Sequence, residues 1–263
     1  MKESKSSIID SHCHIVFSNF NEDREQVAQR WRSQGVKALI HACVEPSEIP
    51  AIKSMADQFE EIRYSVGVHP LDAHHWDDET LNILKNAALD DSRVVAIGEL
   101  GLDLFKAENL SEQLSILMPQ LKLAFELNLP VIVHCRDAAK EMLEVFSKLS
   151  KDGCCPKGVM HCWSGTVQER RQFLALGFYI SFSGNVTFKN AIDIHECAKE
   201  VPSSRFIVET DSPFLSPVPN RGKRNEPSFV KYVVEKISEL RGASFSEIAE
   251  KTTQNARELF ALP

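Results

Sequence analysis

Ile8-Ile9-Asp10-Ser11-His12-Cys13-His14 begins as a buried strand, turns polar and ends on two histidines. Successive strand side chains alternate between faces, so His12 and His14 share one face and Cys13 takes the other. Two neutral imidazoles side by side suit one divalent metal ion. An isolated pair of this kind reads as a surface or tag-like feature. This pair is not isolated, because acidic and imidazole residues end later strand-like runs in the same way.

Outward from that stretch, apolar spacing predicts a helix over 21–34, with Val27, Ala28 and Trp31 on one face and Gly35 placed to stop it. A strand follows over 36–43, then a helix over 47–59 that tolerates Pro50 in its first turn, then a strand over 62–68 ending at His69-Pro70. A helix over 79–89 leads to a fourth strand over 93–97, which ends at Gly98-Glu99. Leu110, Leu114, Leu117, Met118, Leu121, Ala124 and Phe125 form one apolar helical face, with a kink predicted at Pro119. Short strands over 130–133 and 158–160 deliver His134 and His161, with a helix over 138–149 between them. A helix over 167–176, ended by Gly177, a strand over 178–182, a helix over 191–200 and a strand over 205–208 follow; the last strand delivers Glu209 and Asp211. Helices over 227–240 and 244–260 close the chain, the second begun by a Ser244/Glu247 capping box.

This β-then-α alternation predicts an α/β fold of the TIM-type (β/α)8 barrel kind. No linker, low-complexity segment or repeat interrupts it, so residues 1–263 read as a single domain. An open doubly wound sheet is the alternative; it commonly carries a Gly-rich phosphate loop, which the sequence lacks. Polar groups end nearly every strand, and a barrel gathers all those ends at one rim.

With 43% hydrophobic and 25% charged residues in a chain of 263, a sizeable core and ordinary globular behaviour are expected. No apolar run approaches the roughly 18 residues of a membrane span, and the apolar run after Met1-Lys2-Glu3-Ser4-Lys5 is too short for a signal peptide. Seven cysteines without framework spacing predict reduced thiols and a cytoplasmic protein. The net charge of −7 argues against coating nucleic acid by global attraction. It leaves room for a nucleic-acid substrate held by a metal centre and a local basic loop. No membrane association and no obligatory protein partner are expected.

Placed on the strands, His12 and His14, Glu99, His134, His161 and Asp211 all fall at C-terminal ends, where barrel enzymes build their sites. That set exceeds what one closed structural zinc needs. Glu99 lies midway in strand order and has two oxygens, which makes it the natural bridge. The predicted centre holds two divalent ions, one with His12, His14, Glu99 and Asp211, the other with Glu99, His134 and His161. Each residue also has an ordinary reading: a strand-end His as a hydrogen-bonded rim residue, and Asp211 as a turn cap before Ser212-Pro213.

The motifs that carry a family resemblance are Ile9-Asp10-Ser11-His12-Cys13-His14, Val66-Gly67-Val68-His69-Pro70, Ile97-Gly98-Glu99-Leu100-Gly101-Leu102-Asp103, Val133-His134-Cys135-Arg136-Asp137-Ala138 and His161-Cys162-Trp163-Ser164-Gly165. Glu209-Thr210-Asp211-Ser212-Pro213, Arg221-Gly222-Lys223-Arg224-Asn225-Glu226-Pro227 and Asn255-Ala256-Arg257-Glu258-Leu259-Phe260 continue the series. Together they resemble, nearly end to end, the TatD family of metal-dependent hydrolases. The resemblance implies a TIM-type barrel, two divalent ions (Mg, Zn or Mn) and hydrolysis of nucleic acid, most often as a 3′→5′ exonuclease on DNA ends or single strands. It assigns the metal positions to His12, His14, Glu99, His134, His161 and Asp211. Leu104 and Trp163 depart from the family's usual aromatic and phenylalanine; neither is a ligand position.

Catalytic roles then fall to Asp211, as metal ligand and proton acceptor, and to Glu209, which supports the base or orients a histidine. The alternative for Glu209 is a salt bridge inside the barrel. On the substrate side, His69 resembles the family's substrate-side histidine, and the planar fork of Arg136 suits phosphate oxygens or an ion pair with Asp137. Arg221, Lys223 and Arg224 form a basic loop after the eighth strand, for phosphate or simply for solvent. Trp163 suits stacking on an unpaired base or packing. His41, His74, His75 and His195 receive no role. The competing function is a metal-dependent ester or amide hydrolase, including one that deacylates D-aminoacyl-tRNA. A non-catalytic binding scaffold is disfavoured by the intact ligand set and candidate base.

Overall fold

The computed structural model describes residues 6–263. Strands β1 (Ile8–Cys13), β2 (Val36–His41), β3 (Ile62–Val66), β4 (Val94–Asp103), β5 (Val131–Arg136), β6 (Gly158–Met160), β7 (Tyr179–Phe182) and β8 (Phe206–Val208) form one sheet, each hydrogen-bonded in parallel to the next in the chain. The last strand returns to the first. Asp211 N–H donates to the His12 carbonyl at 2.9 Å, His14 N–H to the Ser212 carbonyl at 2.8 Å, and Cys13 and Ser212 form a parallel bridge. The expected barrel is therefore present, and its closing seam runs through the residues singled out as the site.

Parallel neighbours need a crossover, and helices supply it. Helices α1 (Arg24–Ser33), α2 (Ile49–Gln58), α3 (Thr80–Asp90), α4 (Leu110–Glu126), α5 (Ala139–Lys151), α6 (Val167–Ala175), α7 (Ile192–Glu200) and α8 (Val230–Arg241) wrap the sheet, with α9 (Phe245–Phe260) last. Short 3-10 turns at Pro46–Glu48 and Pro227–Phe229 precede α2 and α8, so those helices start later than their apolar spacing indicates. Ser244 and Glu247 form the expected capping box. One buried cluster gathers Ile9, Ile40, Val95, Ile132, Val159 and Ile207 with Leu259 and Phe260, so the end of α9 plugs the barrel. A larger cluster lies between strands and helices and includes Cys13, Trp31, Phe146, Phe173 and Phe206. Two residues beyond Ile132, Val159 and Ile207 on the inward face come His134, His161 and Glu209, which the alternation carries from the core to the rim.

Two expectations are corrected. Strand β4 does not stop at Gly98-Glu99 but runs ten residues, all buried, to Asp103. Glycine here permits passage rather than termination: a Cβ on Gly101, whose φ is +142°, would lie 1.9 Å from the His134 carbonyl oxygen. Helix α4 runs from Leu110 to Glu126 with Pro119 inside it. Its inward face is also not the all-apolar one: Met118 and Phe125 are exposed, while Gln113 and Gln120 are fully buried. Gln113 Oε1 accepts from Asp103 N at 2.8 Å and Gln120 Oε1 from Val68 N at 2.8 Å, which braces the ends of β4 and β3. No described helix is long and apolar enough to cross a membrane.

Candidate metal centre

Glu99, 3% exposed, stands in the middle of the rim. Its Oε2 lies 3.2 Å from His12 Nε2 and 3.7 Å from His14 Nε2. Its Oε1 lies 2.9 Å from His161 Nε2 and 3.0 Å from His134 Nδ1. Asp211 Oδ1 joins the first group at 3.7 Å from His12 Nε2 and 3.6 Å from His14 Nε2. All six residues expected as ligands are thus brought together around one carboxylate.

The partners behind the rings decide which nitrogens are bare. His14 Nδ1 donates to the Ala42 carbonyl at 3.0 Å, His134 Nε2 to Asp103 Oδ2 at 3.0 Å, and His161 Nδ1 to Glu209 Oε1 at 3.3 Å. The other nitrogen of each ring then turns a lone pair inward, and His12 Nε2 and His14 Nε2 are only 3.1 Å apart. Lone pairs converging on carboxylate oxygens repel unless a cation lies among them. A carbonyl or carboxylate behind the imidazole is also how metal-ligating histidines are held, and three of these four rings have one. Donor separations of this size fit a cation about 2.0–2.2 Å from each donor. The residues present therefore fit a metal centre.

Electrostatics agree. Burial works to raise the Glu99 carboxyl, but His161, His69 and His12 outweigh it and hold it well below the usual carboxylate range. Burial likewise opposes charge on His134 and His161, yet Asp103 and Glu99 raise the first, and Glu99 and Glu209 the second. His12 alone among the ring ligands is driven down, by burial and by His161 beside it. The pocket draws in positive charge against the cost of burying it. Two residues here have left-handed backbones, Asp211 at φ 58° and Cys162 at φ 47°, a conformation that surrounding structure must hold in place.

His69 stands beside the six residues expected as ligands. Leu71 N–H donates to its Nδ1 at 3.2 Å, which leaves the proton on Nε2, 3.4 Å from Glu99 Oε1. It sits beside the centre, where its donor atom lies within 4.8 Å of donor atoms of Glu99 and His134. Glu209 is fully buried behind His161, its Oε1 also accepting from Cys162 N at 2.8 Å. It faces the backs of the rings, not the open rim.

The outer residues divide. Arg136 lies over Phe105, its guanidinium carbon 3.9 Å from the ring centroid, and it forms no ion pair with Asp137 among the described residues. Arg221 covers Phe188 at 3.7 Å, and Lys223 is exposed without a side-chain partner among the described residues. The phosphate role for Arg224 and the stacking role for Trp163 fail, while the packing alternative for Trp163 holds. Trp163 is 4% exposed, donates Nε1–H to Cys197 Sγ at 3.2 Å and packs edge-on against Phe173, so it has no face free for a base. Arg224 is committed to Asp23, with contacts of 2.7 and 2.8 Å, and to the Asn19 carbonyl, so it ties the loop to α1 instead of offering its charge to phosphate.

That pair makes a pH prediction. Hydrogen bonds from Arg224, opposed by slight burial and joined by Arg30, lower the Asp23 carboxyl from 3.8 to about 2. A depressed acid stabilises the fold at pH values above its unfolded pKa and loses that contribution as pH falls toward the folded value. Wild type should therefore unfold at higher temperature than Asp23→Asn at pH 7, with the gap closing below about pH 4. Melting curves of both proteins across pH check this; a gap that persists unchanged at pH 3 would refute it.

Sequence reasoning missed Asp10, Asp103 and the bracing role of His41. Fully buried Asp10 accepts from Thr210 N at 2.8 Å and Thr210 Oγ1 at 2.6 Å; burial pushes its carboxyl up to about 8 despite those bonds. Asp103 was legible in principle, at an even spacing from Glu99 along one strand. His41 Nε2 accepts from Val16 N at 3.2 Å and holds the loop after β1.

A barrel with histidines and carboxylates converging at the C-terminal rim defines the class of metal-dependent hydrolases. Comparison with known proteins narrows this. Residues 9–261 match the family described as "TatD related DNase". YabD of Bacillus subtilis, described as an uncharacterized metal-dependent hydrolase, is 38% identical over 256 residues, 97% of this chain and 99% of its own. A "3'-5' ssDNA/RNA exonuclease TatD" from a Rahnella strain is 35% identical over 95% of this chain and 96% of its own. The crystal structure of the TatD homolog YjjV from Escherichia coli superposes with a TM-score of 0.90 at 30% identity, covering 97% of this chain and 98% of that one. The chain belongs to the TatD family of metal-dependent hydrolases, and it is a hydrolytic enzyme.

Proposed function

We propose that this enzyme is a two-metal phosphodiesterase that removes nucleotides from the 3′ ends of single-stranded nucleic acid. The observation that carries the reading is Glu99, with one oxygen facing His12 and His14 and the other facing His134 and His161. His12, His14, Glu99 and Asp211 hold one cation; Glu99, His134 and His161 hold the other. Among Mg, Mn and Zn, so imidazole-rich a donor set favours Zn. Two bound divalent cations supply activation of water near neutral pH and stabilisation of the attacking and leaving oxygens of a phosphodiester.

The chain's own groups do the rest. Asp211, which turns Oδ1 toward His12 and His14, accepts the proton of the attacking water at its other oxygen, Oδ2. His69 Nε2–H steadies Glu99 or a phosphate oxygen beside it. Exposed aromatics surround the centre: Phe214, 51% exposed, meets His14 and Phe17 edge-on at 6.1 Å, and Phe105 is 60% exposed under Arg136. Such faces suit unpaired bases, which supports a single-stranded substrate. Exonuclease naming of the Rahnella relative supports the direction of digestion.

The test is end-labelled single-stranded DNA, RNA, duplex DNA and aminoacyl-tRNA, each incubated with Zn, Mn or Mg. Stepwise shortening of 5′-labelled single strands, abolished by chelator, is expected; action on the aminoacyl ester alone would overturn the reading. A companion prediction concerns the loop. Arg221→Ala with Lys223→Ala should raise KM for an oligonucleotide and flatten its salt dependence by roughly 0.7 per lost phosphate contact, with kcat retained. Coincident salt slopes for variant and wild type would remove this loop from substrate binding.

A further inference from the structure

We propose that Glu209 is a positioning residue shared by both halves of the centre: its carboxylate fixes the rings of His12 and His161 together and so couples the two cation sites. The inference rests on the two-cation reading and adds a device behind it.

His12 and His161 stack with centroids 4.0 Å apart and planes 10° from parallel. Both rings point Nε2 at Glu99, at 3.2 and 2.9 Å. Two parallel rings with their Nε2 edges on one side turn their Nδ1 edges to the other, and there Glu209 lies. His161 Nδ1 meets Glu209 Oε1 at 3.3 Å. His12 Nδ1 and Glu209 Oε2 are both enclosed, and neither has a hydrogen-bond partner among the described residues. A ring nitrogen of His12, one of His161 and a Glu209 oxygen fall within 4.8 Å of one another. A buried N–H and a buried carboxylate oxygen are each costly left single. Facing the same gap, they satisfy each other after a small ring shift or through one bridging water.

The stacked pair is thus held between two carboxylates, Glu99 at its metal edge and Glu209 at its back. His12 belongs to one cation and His161 to the other, so one fully buried side chain sets the tautomer of a ligand in each. The remaining ring ligands have separate supports, His14 the Ala42 carbonyl and His134 the Asp103 carboxylate. Cys162 N–H, donating to Glu209 Oε1 at 2.8 Å, keeps the carboxylate from turning away.

The experiment uses the full chain, stripped with a chelator and titrated with Zn²⁺ against a chromophoric competitor, alongside histidine-ring ¹⁵N spectra at pH 8. In wild type the His12 and His161 rings should both be Nδ1-protonated. Glu209→Gln should disturb both rings, leave His134 unchanged, and weaken both binding steps by about 10–100-fold each. Asp103→Asn, which among the four histidine ligands touches only His134, should weaken only one step. Glu209→Asp keeps the charge, provides a second variant where Gln fails to fold, and should weaken both steps less. Disturbance of His161 alone, or loss at a single step, overturns the proposal. Uptake of fewer than two ions by wild type overturns the two-cation reading, while the ring spectra still decide what Glu209 holds.

Discussion

Glu99→Gln is expected to empty both cation sites and to reduce turnover by more than the roughly 10²–10⁴-fold that loss of a general base costs. Glutamine keeps the size of the side chain but removes its charge and leaves one oxygen where two are needed. The oxygen facing His12 and His14 and the oxygen facing His134 and His161 belong to the same carboxylate, so neither half escapes. His161→Ala, by contrast, should deplete chiefly one ion, because His12, His14 and Asp211 keep theirs. Metal analysis of the purified variants separates the two patterns. Full occupancy in Glu99→Gln would show that the carboxylate does not bridge.

Asp211→Asn should leave the fold intact while kcat drops roughly 10²–10⁴-fold. The choice of asparagine matters because residue 211 sits at φ 58°, a left-handed backbone that asparagine tolerates better than other non-glycine residues. The backbone bond from residue 211 N–H to the His12 carbonyl, 2.9 Å long, is untouched. A loss of rate at unchanged melting temperature and unchanged metal content then reports proton transfer and neither the seam nor a lost ion. Glu209 cannot substitute, being fully buried behind His161. Near wild-type turnover would place the base outside this pair of carboxylates.

The strand-helix alternation was legible because each strand is short, apolar and stopped by turn chemistry, and because the polar residue that follows it breaks the apolar run. The six central donors were legible because each lies at or just beyond the end of an apolar strand run; His134 and His161 follow the inward-facing Ile132 and Val159. What the pattern could not reveal was a strand that goes on through glycine, as β4 does to Asp103, since glycine reads as an end wherever the partner strand is unknown. Nor could it show that Gln113 and Gln120 displace apolar neighbours from the inner face of α4, because their reward is a backbone group on another element. Arg224 and Trp163 failed for a related reason. Charge and aromaticity state what a side chain is able to bind, and only the packing around Asp23 and Phe173 states what it has already bound.

The seam between β8 and β1 has a consequence for how the enzyme comes into being. Asp10 and Thr210, which clasp across it, are separated by 200 positions, and the bond from Asp211 to His12 spans nearly as many. Synthesis runs from the N-terminus, so the first strand must wait, without its partner, until the eighth has been made. Contacts this distant in sequence are slow to form, because loop-closure entropy is spent before they stabilise anything. The metal centre straddles that late-forming junction. Its donors therefore come together as a full set only when β8 pairs with β1.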